Sequence, residues 1–172
     1  MDIYTLLVIG HIIGVVLGVG GATFIELNLS HALKDGKVDP IEGGFMKISF
    51  TTVRIGLVLS LLTGFGFIIY FVLTNQTARF ENPLFWAKMS MVVLVAVNAL
   101  LLQARRISLY WGSALSFVGW WTALVLSILL GEQYNYSYLS VMAVFMVAVV
   151  TGAFVLDFFR TWHQTLSKKK KK

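Results

Sequence analysis

The stretch IGLVLSLLTGFGFIIYFVL, residues 55–73, runs without one charged side chain. At 1.5 Å per residue a helix of that length reaches about 28 Å, close to the ~30 Å hydrocarbon core of a bilayer. It lacks the polar alternation of a barrel strand, and in lipid every backbone N–H and C=O must be satisfied within the segment, so a helix is the conformation it can adopt. Four further runs meet the same requirement, giving five expected spans over residues 3–29, 45–73, 84–102, 110–130 and 138–159. The expected fold is all-α: a polytopic membrane helical bundle of five transmembrane helices.

Composition supports this. The 172 residues are 58% hydrophobic and 13% charged, and the mean hydropathy is +0.80, whereas an average soluble domain is about 25% charged. The connections are too short for a soluble domain, so residues 1–167 are expected to form a single transmembrane domain, followed by the polylysine tail 168–172. The first run lacks a basic segment before it and a small-residue cleavage site, and is expected to be a retained helix. The formal charge of +6 arises largely from that tail, which suits an anionic leaflet and implies no nucleic acid. With no cysteine, disulfides, thiolate metal sites and cysteine nucleophiles are excluded.

The breaks between runs have their own chemistry. KDGKVDPIEGG combines Gly, Pro and charge, and NQTARFENP supplies Asn82 as an N-cap with Pro83 in the first helical position. Lys34 and Lys37, Arg105 and Arg106, and Arg160 with the tail fall on one side; Arg79 alone falls on the other. The positive-inside rule then predicts an outside N-terminus and a cytoplasmic C-terminus, with Tyr134, Tyr136, Tyr138 and Trp86 at the outer interface. The expected location is a bacterial cytoplasmic (inner) membrane, with the lipid bilayer as partner.

Gly10, Gly14, Gly18 and Ala22 form a small-residue ridge, as do Gly56, Ser60 and Gly64; such ridges let helix backbones approach in lipid, within a chain or between copies in a homo-oligomer. Polar groups inside the spans are costly and mark either function or internal pairing. His11 projects toward the packed side about two turns from the outer end, suiting a haem axial ligand (a metal role for its imidazole), a proton relay, or a hydrogen bond to a neighbouring helix. Lys88 enters the outer half at a similar depth, to snorkel outward or to bind an acidic ligand group. Arg54 shares a face with Lys47 as an inner basic edge, or serves carboxylates or Glu26. Asn98 is placed to hydrogen-bond across helices, and Asp157 to pair with Arg160. His31 and His163 both fall near the inner interface, where a joint metal site is one reading. No second histidine lies at the level of His11, which excludes a bis-histidine haem there and leaves Met89, Met91 or Met142 as a second ligand, or none.

Three segments, GHIIGVVLGVGG with His11, MKISFTTVRIGLVLSLLTGFG with Arg54, and FWAKMSMVVLVAVNALLL with Lys88, together resemble the HemJ-type protoporphyrinogen oxidases and the wider CopD-like family of small bacterial membrane proteins, over roughly residues 1–105. The resemblance implies that His11 takes the place of the histidine that binds haem b, and Lys88 that of a signature lysine. It implies a reaction that oxidises protoporphyrinogen to protoporphyrin, and a porphyrin whose propionates suit Arg54 or Lys88. The chain departs from the family pattern at IELNLSH, where an arginine is usual, at Asn98, where a histidine is usual, and in its fifth helix.

Three functional classes follow. The first is a haem-b-binding or porphyrin-handling membrane protein of redox type, a membrane oxidoreductase, with cofactor contacts from His11, Lys88, Arg54, Glu26 and Asn98. The second is a small transporter or channel, CopD-like in its copper version, with His11, Glu26, Arg54 and Lys88 lining one hydrated path. The third is a non-catalytic assembly partner that uses the glycine ridges and the aromatic fourth span with Trp111, Trp120 and Trp121.

Overall fold

The computed structural model describes residues 1–32, 39–131 and 136–170, with the backbone alone at 32, 160 and 163–170. The helices are α1 (Ile3–Ala32), α2 (Pro40–Leu73), α3 (Pro83–Gln103), α4 (Leu109–Gly131) and α5 (Tyr138–Lys170), with a 3-10 turn at Thr77–Glu81 between α2 and α3. All five are long and apolar enough to cross a membrane, and no strand occurs among the described residues. The first-loop lysines 34 and 37, Tyr134, and the side chains of Arg160, His163 and the tail lie outside the described residues, and with them the expected Asp157–Arg160 pair and the His31/His163 site.

Two helices exceed their apolar runs because a helix ends at a cap rather than at the edge of lipid. α2 begins at Pro40, five residues before the expected span. Asp39 accepts from the Glu42 N–H (2.8 Å), the Asp39 N–H donates to the Glu42 carboxylate (3.1 Å), and Pro40 has no N–H to satisfy. This reciprocal capping box makes Asp39→Ala an expected loss of about 1 kcal/mol in thermal or denaturant unfolding. α5 continues past residue 159, through a polar sequence that contains no Gly or Pro to stop it. At the start of α3 the expected cap is present: Asn82 accepts from the Leu84 N–H at 2.9 Å. α1 is opened by Asp2, which accepts from the Thr5 N–H (3.2 Å); bonding from Thr5 holds this exposed carboxyl below its usual range.

The outward faces carry large apolar side chains such as Ile12, Val16, Leu62, Ile69, Val93, Leu100, Val144 and Phe154, a surface suited to lipid. Polar side chains turn inward instead: Glu26, Ser49, Ser60, Thr63, Asn98 and Ser113 are all buried. The most extensive contact is between α1 and α2. A Cβ added at Gly56 would meet Gly18 N at 2.6 Å and Gly14 O at 2.7 Å, so here the two backbones touch. Gly18 also receives the indole of Trp120 from α4, which joins this hairpin to the α3–α4–α5 group. The two small-residue ridges are therefore used against each other and against α4 within one chain, and that face is not left for a second copy.

Asn98 is buried between α3 and α4, where its Nδ2 donates to the Gly112 carbonyl at 2.8 Å. The expected cross-helix bond is thus made. Because such bonds in membranes average about 0.6 kcal/mol, Asn98→Leu is expected to shift stability by less than about 1 kcal/mol in detergent unfolding.

Candidate functional site

α2 and α3 scarcely touch each other, although each packs against its own partner. The close α1–α2 crossing and the docking of α4 on α1 leave a cleft between α2 and α3, floored by α1 and α4. At the end of the bundle that carries the N-terminus this cleft opens into a cavity of about 620 Å³, within the usual range of about 300–1,000 Å³ for small-molecule and cofactor sites. A narrow extension of about 70 Å³ continues it inward as far as Val95 and Trp120.

His11 borders both parts. Its Nδ1 lies 2.9 Å from Thr63 Oγ1. That hydroxyl has one proton and directs it to the Leu59 carbonyl at 2.7 Å, with the Ser60 carbonyl at 3.3 Å. The oxygen therefore receives a proton from the imidazole, which assigns the Nδ1–H tautomer. In that tautomer Nε2 is left with its lone pair. The edge of Phe67, with ring centroids 5.5 Å apart at 78°, fixes the plane of the ring. Gly64 lies beside it; a Cβ there would approach His11 Cε1 to 4.0 Å.

Lys88 lines both parts of the cavity from α3, as His11 does from α1. At the mouth, Arg79 of the 3-10 turn rests its guanidinium over the Phe71 ring, 4.6 Å from the centroid. No acidic side chain is among the described residues that line the cavity. The walls are aromatic: Tyr4 lies 5.8 Å from Phe67, Phe67 stacks on Phe71 at 5.9 Å and 14°, and Phe85 closes the α3 side. Two cations, one imidazole lone pair and flat aromatic walls make a site for a planar or elongated apolar molecule that carries negative charge. Met89 also lines it.

Of the residues expected at one site, the structure brings together His11 and Lys88. Arg54 is exposed and lines a different cavity at the far end of the cleft; at 1.5 Å per residue it lies about 14 Å along α2 from Thr63. Glu26 is buried in α1, about 22 Å along the helix from His11, and Asn98 is engaged with α4; neither lines the cavity. His31 is exposed. No group of three or more His, Asp or Glu side chains able to hold a metal occurs among the described residues.

Thr63 and Phe67 escaped the sequence reading, and Arg79 was noted there only for its side of the membrane. Thr63 and Phe67 stand four residues apart beside the Ser60–Gly64 ridge, a spacing that places them on one helical face, and that was their available signal. Arg79 lies in a connection, where helical periodicity carries no information. No protein-family model, no curated protein and no solved structure matches this chain.

Proposed function

We propose that this protein is a membrane-embedded tetrapyrrole-binding protein of redox type that holds haem b in the α2–α3 cavity. The observation that carries the reading is the His11 imidazole, tied through Nδ1 to Thr63 and bordering a cavity that Lys88 also lines. Histidines that ligate metals almost always donate their other ring proton to a fixed acceptor, which orients the ring and raises its basicity. Thr63, itself anchored to the Leu59 carbonyl, fills that role.

In this reading His11 Nε2 would hold the iron, Lys88 and Arg79 would hold the propionates by charge-assisted hydrogen bonds, and the Tyr4, Phe67 and Phe71 rings would pack on the macrocycle. Haem so bound supplies a one-electron redox centre. The resemblance to HemJ-type and CopD-like proteins at His11 and Lys88 supports the same reading and adds protoporphyrinogen oxidation as the reaction to assay. The positive-inside count gives an outside N-terminus, which would put the cavity mouth on the outer side, and the resemblance adds a bacterial inner membrane as the location.

A transport path through His11, Lys88, Glu26 and Arg54 finds less support. Between the two cavities lies a packed layer of Val19, Ala22, Val53, Val95 and Trp120, whose one side-chain polar group, the buried Trp120 indole N–H, is a donor and offers a cation no ligand. The reading is tested by the visible absorption spectrum of the purified protein, as isolated and after dithionite reduction. A Soret band that sharpens on reduction is the expected result. A protein that stays colourless even after haem addition overturns it.

A further inference from the structure

The α2–α3 cleft has a second cavity at the opposite end of the bundle, of about 370 Å³. Arg54 from α2, Gln103 and Arg105 from the end of α3, and Ser113 and Ser116 from α4 border it, over an apolar floor from α1 and α2. No acidic side chain is among the described residues that line it. Both arginines sit at one level. Arg54 immediately precedes the uncharged run 55–73, which spans about 28 Å, and Arg105 follows directly on the last turn of α3. That level is the boundary between hydrocarbon and headgroups.

The backbone of Arg105 is a second, independent observation. Its φ is +53°, in the left-handed region where glycine is the usual residue. The Arg105 N–H donates to Leu102 O (3.1 Å) and the Arg106 N–H to Leu101 O (2.9 Å), a helix-terminating pair that glycine serves without strain. An arginine retained in this conformation, with its side chain on a cavity that holds a second arginine, points to a role for the side chain.

We propose that this cavity binds the phosphate headgroup of an anionic phospholipid, with the first part of its acyl chains over the apolar floor that includes Phe50 and Val53. Two guanidinium groups present paired N–H donors that match phosphate oxygens, and the Gln103 amide and Ser116 hydroxyl stand beside them. A free phosphate would meet the same donors and leave the apolar floor, including Phe50 and Val53, uncovered; a lipid covers both. The site is separate from the His11 cavity, divided from it by the Val53–Val95–Trp120 layer, and does not depend on the haem reading.

The test is native mass spectrometry of the full-length protein from mixed micelles with equal phosphatidylglycerol and phosphatidylcholine. Retention of phosphatidylglycerol is expected to exceed that of phosphatidylcholine by roughly tenfold or more, the effect of two cations near a headgroup. R54Q combined with R105Q is expected to abolish this preference, and R106Q, which removes an equal charge from a side chain that does not line the cavity, to keep it. R105G is the discriminating variant: its backbone suits φ +53°, so its thermal midpoint holds or rises while the lipid preference falls. Equal retention of the two lipids by the parent protein, a preference that survives R54Q/R105Q or R105G, or equal loss in R106Q overturns the proposal. Displacement of the lipid by 10-fold excess inorganic phosphate, roughly to baseline, overturns the acyl-chain part of it.

Discussion

Gly56→Leu is expected to separate α1 from α2 and to lower stability by about 3 kcal/mol or more, the upper end for overpacking. The position is flanked by backbone on both sides: an added Cβ would lie 2.6 Å from Gly18 N and 2.7 Å from Gly14 O. A flexible side-chain tip can move aside, but these atoms shift only if a whole helix moves. The displacement would also lift Gly18 from Trp120 and so loosen the contact that seats α4. Gly20 provides the contrast, since nothing lies within 4 Å of a Cβ added there. Gly20→Ala is expected to stabilise the protein by up to about 1 kcal/mol through helix propensity alone. Thermal unfolding of the three proteins in one detergent checks both signs. A Gly56→Leu protein with the parent midpoint would show that the crossing is not where the hairpin is held together.

His11→Ala is expected to remove the Soret band completely, with the helical content of the protein unchanged. The side chain is half-buried, and its hydrogen bond to Thr63 is to a hydroxyl that already serves the Leu59 carbonyl, so little of the fold rests on it. Thr63→Val is the more informative partner. It keeps the shape, takes away the acceptor for Nδ1–H and frees the ring to rotate or change tautomer. Loss of such an outer partner typically weakens metal affinity about 10–100-fold. Titration of haem into the apoprotein is therefore expected to give graded affinity: parent, then Thr63→Val, then no binding for His11→Ala. A His11→Ala protein that keeps its band would transfer the iron ligand to another residue and remove the basis of the functional reading.

The same spectrum separates the residues that the sequence suggested together. Lys88 borders the cavity with His11, whereas Arg54 and Asn98 do not, so Asn98→Leu is expected to leave the band in place. All four were noticed for the same reason, a polar group inside an apolar span. That criterion measures depth along a helix and carries no information about which neighbour the group faces.

What the sequence determined by itself is what is written locally along the chain. Five apolar runs marked five helices, Asn82 and Pro83 marked the start of α3, and the ridges Gly10–Gly14–Gly18 and Gly56–Ser60–Gly64 marked surfaces made for close approach. Because lipid rewards apolar side chains all round, these helices have almost no amphipathic face to reveal which side turns inward. Tertiary structure alone decided that the two ridges meet each other and that Trp120 closes on Gly18. It also decided that α2 and α3 stand apart, bringing Thr63 to His11 across 52 residues of chain and separating Arg54 from both. The cleft is a product of helix rotation and spacing, fixed by backbone contacts at a few glycines, and neither quantity is encoded in the hydropathy of any one segment.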